Sequence, residues 1–251
     1  MGKIKIIENK KLAMGMYDNP EIAAMFARSE REDEKLNTVI STIIDTEVVK
    51  RLSSRGGIVK IANLGAGANP QKYPKILDKI KTKNWEFDWV DLSAPMLEIA
   101  RASAKEFNLP DSINFHKNDF IGYLDGQKNN SLDCVIMQYC INYIDSLEDF
   151  FSKLSKKLKN GGMYIANVGS SRLTNFEEAT FLINGKEISG TVDLAPGDVY
   201  TIQFLDSDGK VYATTQKNFF SDEEISNVAK AAGLSVEFTQ MDKFNVVIIK
   251  K

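Results

Sequence analysis

The stretch Ile58-Val-Lys-Ile-Ala-Asn-Leu-Gly-Ala-Gly-Ala-Asn-Pro70 constrains the fold more than any other part of the chain. Its apolar residues Ile58, Val59, Ile61 and Leu64 read as a buried strand, which Gly65-Ala66-Gly67 breaks. Asn69 and Pro70 then read as the N-cap and first position of a helix running to about Lys81. Strand, glycine turn and helix N-terminus in succession can hold a ligand against bare backbone. Glycine permits close approach, and the first N–H groups of a helix lack partners within it. The pattern is not the dinucleotide fingerprint G-x-G-x-x-G, because Pro70 stands where the third glycine belongs.

The same alternation continues downstream. Trp85–Asp91, Ile113–His116, Leu132–Met137 and Met163–Val168 read as strands. A helix with Ser93 as N-cap follows the first of these, and another spans about 146–159 with Leu147, Phe150, Phe151, Leu154 and Leu158 on one face. Strands alternating with helices predict an α/β fold with a mostly parallel sheet covered on both faces. Before it, Ile22, Met25, Phe26 and then Leu36, Val39, Ile40, Ile43, Ile44 and Val48 predict one or two helices. The polar block Arg28–Lys35 between them reads as a bend with a solvated face, and residues 1–16 as an edge strand or lead-in. After Gly169 the pattern turns to short strands at 181–189, 199–205 and 211–215 separated by turns, which predicts antiparallel hairpins. Ser221-Asp-Glu-Glu224 is a capping box for a helix to Ala232, and two closing strands follow at about 234–240 and 244–250.

The chain of 251 residues suits one α/β domain with additions. Its net charge of −2 supplies no global field for nucleic acid or an anionic membrane. No run approaches the roughly 18 apolar residues of a membrane span. The opening Met1-Gly-Lys-Ile-Lys-Ile-Ile-Glu8 lacks a signal peptide's apolar core, and Ile6 stands where myristoylation wants Ser or Thr, so a cytoplasmic location is expected. Cys134 and Cys140 lack metal-ligand spacing and the single histidine, His116, is distant, so no metal is expected and both thiols read as core residues.

Ligands of an open parallel sheet lie beyond the carboxyl ends of its strands, where the strand order reverses. Four features fall on that edge: Gly65-Ala66-Gly67, Asp91, Asn118-Asp119-Phe120 and Gln138-Tyr139. Asp91 is placed to accept the hydroxyls of a ribose, and Asp119 an exocyclic adenine amine. Helix or turn capping is the commoner use of Asp in loops, but four such features in register at successive strand ends point to a nucleoside site.

Taken together, these segments resemble the class I S-adenosylmethionine-dependent methyltransferases, in their small-molecule, type 11/12-like branch. Asn63-Leu-Gly-Ala-Gly-Ala-Asn69 is similar to the family's first motif, and Asp91-Leu-Ser-Ala-Pro-Met-Leu-Glu-Ile-Ala-Arg101 to its D-x-S-x-x-M-L-x-x-A-R segment. Ser131–Gln138, Leu158-Lys-Asn-Gly-Gly162 and the late helix from Phe219 to Leu234 also match. The resemblance implies a three-layer Rossmann-like fold with a seven-stranded, mostly parallel sheet, N-terminal helices and an inserted antiparallel β region. The expected organisation is an N-terminal helical cap at 1–57, a cofactor-binding core at 58–169, a β-hairpin lid or dimer region at 170–220, and a closing helix and two strands at 221–251.

It implies S-adenosyl-L-methionine as cofactor, bound by Asn63, Gly65, Ala66, Gly67, Asp91, Leu92, Met96, Asn118, Asp119, Phe120 and Gln138. Two positions depart from the family pattern. Asn63 replaces its acidic residue, which removes a charge facing the cofactor's ammonium, and Asn69 replaces the third glycine. Tyr139, Asn142 and Tyr143 follow the fourth strand where an acceptor would meet the methyl group, and Tyr17 can fold over the same mouth. No general base is assigned. The expected reaction is in-line methyl transfer to N or O of a small molecule, without nucleic acid or membrane and with a homodimer as one use of the insertion. Two alternatives stay open. Met137–Tyr143 faintly resembles the Q-F-x-x-H-Y segment of mRNA cap guanine-N7 methyltransferases, with Asn142 where their His stands, and Asn63 and Asn69 fit a cofactor-binding protein without catalysis. An aminopropyl transferase on this fold would need an acidic cluster that the sequence lacks.

Overall fold

A computed structural model describes residues 16–32, 34–82, 84–169, 171–174, 179–183, 185–205, 208–240 and 245–251. Except for Met16, the reading of the first sixteen residues lies outside these, as do the side chains of the polar block at 29–35. Helices α1 (Pro20–Glu32) and α2 (Glu34–Leu52) open the described chain. Ile40, Ile44, Val48 and Leu52, at fourfold spacing on α2, are buried in the core on one face of the main sheet.

Strands β1 (Val59–Leu64), β2 (Trp85–Asp91), β3 (Ile113–Lys117), β4 (Leu132–Met137) and β5 (Leu158–Val168) pair in parallel. The helices between them are α3 (Pro74–Ile80), α4 (Ala94–Glu106), α5 (Phe120–Gly126) and α6 (Leu147–Lys157). At the far end α7 (Asp222–Ala231), β12 (Ser235–Gln240) and β13 (Asn245–Lys250) complete a seven-stranded sheet in the order β12-β13-β5-β4-β1-β2-β3. Its antiparallel member is β13, which runs against both neighbours. Residues on the two faces form two apolar cores, one built on Ile61, Phe87, Trp89 and Ile165, the other on Leu64, Val90, Val135 and Tyr164. Nearly unbroken hydrophobic strands are what burial on both faces demands.

The turn after β1 differs from its reading in the sequence. Pro70–Lys72 is a short 3-10 turn, and α3 starts only at Pro74. Asn69 makes no side-chain cap; its Nδ2 donates to the Ala27 carbonyl of α1 at 3.2 Å and its Oδ1 accepts from Gln71. The cap of α3 comes from another helix: Asp45 of α2 accepts from the Lys75 and Ile76 amides at 2.9 and 2.6 Å. Burial holds the Asp45 pKa above the usual carboxylate value, although both amide bonds pull against it. Replacing Asp45 by alanine is therefore expected to cost about 1–2 kcal/mol in urea unfolding; an unchanged midpoint would show that the cap contributes nothing.

Between β5 and α7 lie β6 (Arg172–Thr174), β7 (Ala179–Ile183), β8 (Lys186–Glu187), β9 (Thr191–Asp193), β10 (Val199–Leu205) and β11 (Val211–Asn218). They form a four-stranded antiparallel sheet, β11-β10-β7-β8, and a β6–β9 pair. This layer has its own apolar core of Leu173, Phe181, Ile188, Leu194, Tyr200 and Ile202. Reciprocal bonds tie it to the main sheet: Asn142 Nδ2 donates to the Asn218 carbonyl at 2.6 Å, and Asn218 Nδ2 to the Ile144 carbonyl at 2.9 Å. Among the described residues no helix is long and apolar enough to cross a membrane, and no group of three or more His, Cys, Asp or Glu is placed to hold a metal ion.

Candidate functional site

β1 and β4 are neighbours although β2 and β3 lie between them in the chain, so the strand order reverses there. A cavity of about 590 Å³ opens along that edge, as the geometry of an open parallel sheet requires. Gly65, Gly67, Asp91, Leu92, Met96, Asp119, Phe120, Gln138, Tyr17, Tyr139 and Tyr143 all line it.

Asp91 closes β2, and its two oxygens are held from opposite sides. Oδ2 accepts from the Gly67 amide and Oδ1 from the Ser93 amide, both at 2.9 Å. The carboxylate thereby locks the glycine turn to the start of α4. An ionised carboxylate offers about four acceptor sites, so bracing and ligand binding are compatible. The turn's other amides are not bare: Gly65 and Ala66 both donate to the Val90 carbonyl, at 2.9 and 3.0 Å. Gly65 has φ +68°, and an added Cβ would lie 2.5 Å from Cys140 Sγ. The thiol thus occupies the space that the missing side chain leaves, and Cys140 is a half-buried wall residue of the cavity, unlike the fully buried Cys134. Asp119 lines the cavity and also caps α5, accepting from the Gly122 amide at 2.8 Å.

Four residues singled out from the sequence stand behind the wall. Ala66 is buried under the turn, and Asn118 accepts from the Asp119 amide. Asn142 is committed to Asn218, away from the cavity. Asn63 is fully buried on β1, and neither its Nδ2 nor its Oδ1 has a hydrogen-bond partner. A buried amide with both ends unsatisfied calls for a polar guest or a water. Gln138 reaches the cavity, yet its Oε1 accepts from the Tyr73 hydroxyl at 2.9 Å within the core.

The opposite wall is aromatic. Tyr139 has φ +58°, a strained conformation for a non-glycine residue, and its amide donates to the buried Asn167 Oδ1 at 2.7 Å. Tyr17 is pinned to α4 where Ser93 Oγ donates to its carbonyl at 2.6 Å. Its ring meets Phe26 edge-on at 5.1 Å, and Phe26 meets Phe204 of β10 at 5.2 Å, so α1 and the inserted sheet join over the site.

Two cations were not singled out from the sequence. Lys72 Nζ lies 3.5 Å from the Ala66 carbonyl and over the Trp89 ring, beside the glycine turn. Lys217 of β11 reaches the cavity from the inserted sheet, its Nζ 5.0 Å from the centre of the Tyr143 ring. A signal for Lys217 was present: it continues the period-2 set of Ala213 and Thr215, both buried. Recognising it requires knowing that this face of β11 meets the main sheet.

A family model for a methyltransferase domain matches residues 67–162, from the glycine turn through the end of α6 to Gly162. Residues 67–162 carry a methyltransferase domain. The methyltransferase fold extends beyond the matched stretch. A S-adenosylmethionine-dependent methyltransferase from Clostridium acetobutylicum superposes over 92% of this chain and 97% of its own with TM-score 0.62, at 16% identity. The 1,6-didemethyltoxoflavin-N1-methyltransferase of Burkholderia thailandensis, solved with 1,6-didemethyltoxoflavin and S-adenosylhomocysteine, aligns over 100% and 93% with TM-score 0.60 and 12% identity. An amino pentose methyltransferase from Micromonospora echinaspora covers 90% and 95%, with TM-score 0.55 and 13% identity. No curated protein matches the sequence significantly.

Proposed function

We propose that this methyltransferase binds S-adenosylmethionine along the carboxyl edge of β1–β3 and methylates an N or O atom of a small molecule held against the aromatic wall. One observation carries the reading: a single cavity joins the braced Asp91 and Asp119 to Tyr17, Tyr139 and Tyr143. A cavity of this size suits a nucleoside and a small acceptor together. The Burkholderia and Micromonospora structural neighbours, named for 1,6-didemethyltoxoflavin and an amino pentose, support a small-molecule acceptor.

The residues fit the cofactor. Asp91 accepts the ribose hydroxyls while held rigid by the Gly67 and Ser93 amides. Asp119 receives the adenine amine, with Leu92, Met96 and Phe120 supplying apolar contact to the ring. Asn63 offers its unsatisfied amide behind the turn, and Lys72 supplies a positive charge for the cofactor's carboxylate. When bound, S-adenosylmethionine supplies a methyl group on a sulfonium whose leaving group is a neutral thioether. The protein's part is then alignment and exclusion of water. The roof of Tyr17, Phe26 and Phe204 serves the second task, with the sheet that carries Phe204 as the lid.

Calorimetry with S-adenosylmethionine and S-adenosylhomocysteine tests cofactor binding, and a methyl-transfer screen over small N and O acceptors tests catalysis. Binding without transfer to any acceptor would favour the non-catalytic reading. Lys72→Met is expected to weaken S-adenosylhomocysteine about 5- to 20-fold, the loss of one charge-assisted contact at a partly exposed site. Equal affinity would remove Lys72 from the cofactor site.

A further inference from the structure

Lys217 is an unusual residue to find on the wall of an apolar cavity. It comes from the inserted sheet, and no carboxylate pairs with it among the described residues, although twelve other ion-pair contacts are made elsewhere in them. Its neighbours are Tyr143, Tyr200 and Cys140. Burial disfavours its charge, but these groups and a hydrogen bond with Tyr143 outweigh that and hold its pKa above the usual lysine value. A half-buried ammonium with no carboxylate beside it is costly unless an anion completes it. Tyr143 is prepared in the same way. The Thr215 hydroxyl donates to its oxygen at 3.1 Å, which leaves the Tyr143 O–H to donate to a bound group.

We propose that Lys217 and Tyr143 together recognise an anionic oxygen on the acceptor, which makes the substrate a small, planar molecule with an acidic hydroxyl or carboxylate group. This deepens the methyl-transfer reading of the same cavity and rests on it. The flanking rings of Tyr17, Phe26 and Tyr139 favour a flat, unsaturated body. An acceptor that arrives as an oxyanion has no proton to lose on alkylation, which agrees with a site that offers no histidine. Methylation cancels the acceptor's charge, so the neutral product loses its partner and leaves.

The carboxylates on the cavity wall do not argue for a cationic acceptor instead. Asp125 and Asp149 share Lys153, at 2.7 and 3.9 Å, on the outer rim. Asp91 is braced by two amides and Asp119 caps α5. Asp145 is exposed at the mouth.

The test uses 4-nitrophenol as the probe, titrated into the full chain saturated with S-adenosylhomocysteine near the probe's own pKa. The yellow phenolate band is expected to grow on binding, because the site favours the anion. In Lys217→Met the probe should bind about tenfold or more weaker with no gain of phenolate, while S-adenosylhomocysteine affinity and the thermal midpoint stay near those of the parent. Lys217→Arg, which keeps the charge, should retain the gain and guards against a folding defect in the methionine variant. The proposal is overturned if the cofactor-loaded protein fails to bind the probe, if binding lowers the phenolate fraction, if Lys217→Met behaves as the parent, or if benzylamine binds better than 4-nitrophenol. Failure of S-adenosylhomocysteine itself to bind would instead count against the methyl-transfer reading.

Discussion

Replacing Asp91 by alanine is expected to weaken S-adenosylhomocysteine by about 1.5–3 kcal/mol, roughly 10- to 150-fold in Kd. Two losses combine in this variant. The ribose hydroxyls lose a charged acceptor, and the Gly67 and Ser93 amides lose the group that fixes the turn against α4. Calorimetry on Asp91→Ala and Asp91→Asn separates the two. The asparagine variant keeps one acceptor oxygen for an amide but no charge, so it should recover stability more than affinity. A Kd in the alanine variant equal to that of the parent would remove Asp91 from the cofactor site and with it most of the functional argument.

Gly65→Val should have the second large effect: no measurable cofactor binding and a stability loss of about 2–4 kcal/mol. The causes are steric and conformational rather than the loss of a donated amide. At φ +68° a β-branched residue is strained, and the new Cβ would meet Cys140 Sγ at 2.5 Å and Phe120 Cε1 at 3.4 Å. Because both the thiol and the ring line the cavity, any relaxation moves the wall that would hold the cofactor. The double variant Gly65→Ala, Cys140→Ala should regain part of the stability by removing the sulfur contact, leaving the backbone strain. Urea unfolding and calorimetry measure the two effects independently. Parent-like binding by Gly65→Val would show that the turn does not touch the ligand.

The core strands were legible because their chemistry is local. Trp85–Asp91 and Leu132–Met137 were read at the bounds the structure shows, since short apolar runs flanked by turn residues have few other ways to be buried. The Ser93 and Ser221 caps were equally plain. Elsewhere the local signal gave way to a distant partner. Asn69 looked like a helix cap, but the Ala27 carbonyl claims its amide and Asp45 supplies the cap one turn later. The end of the 146–159 helix shifted as well: α6 stops at Lys157, because Leu158 already pairs with Leu132 at the start of β5. Helix α5 was not assigned from the sequence, because Asp119, weighed there as a helix or turn cap, was read as a ligand contact; it is that helix's cap.

By itself the sequence determined the alternation of strands and helices, the glycine turn and the acidic strand ends. All three follow from periodicity, backbone freedom and capping, which act over a few residues. Only the tertiary structure decided that Asp91 is braced by Gly67 and Ser93, that Asn63 is sealed without a partner, and that Lys217 enters the cavity from the inserted sheet. Apart from the Ser93 bond, which is local, those outcomes depend on contacts between residues distant in the chain. The Asp91 brace and the sealing of Asn63 exist only once β1, β2 and β4 have assembled, and the place of Lys217 only once the inserted sheet has packed against the edge of that core.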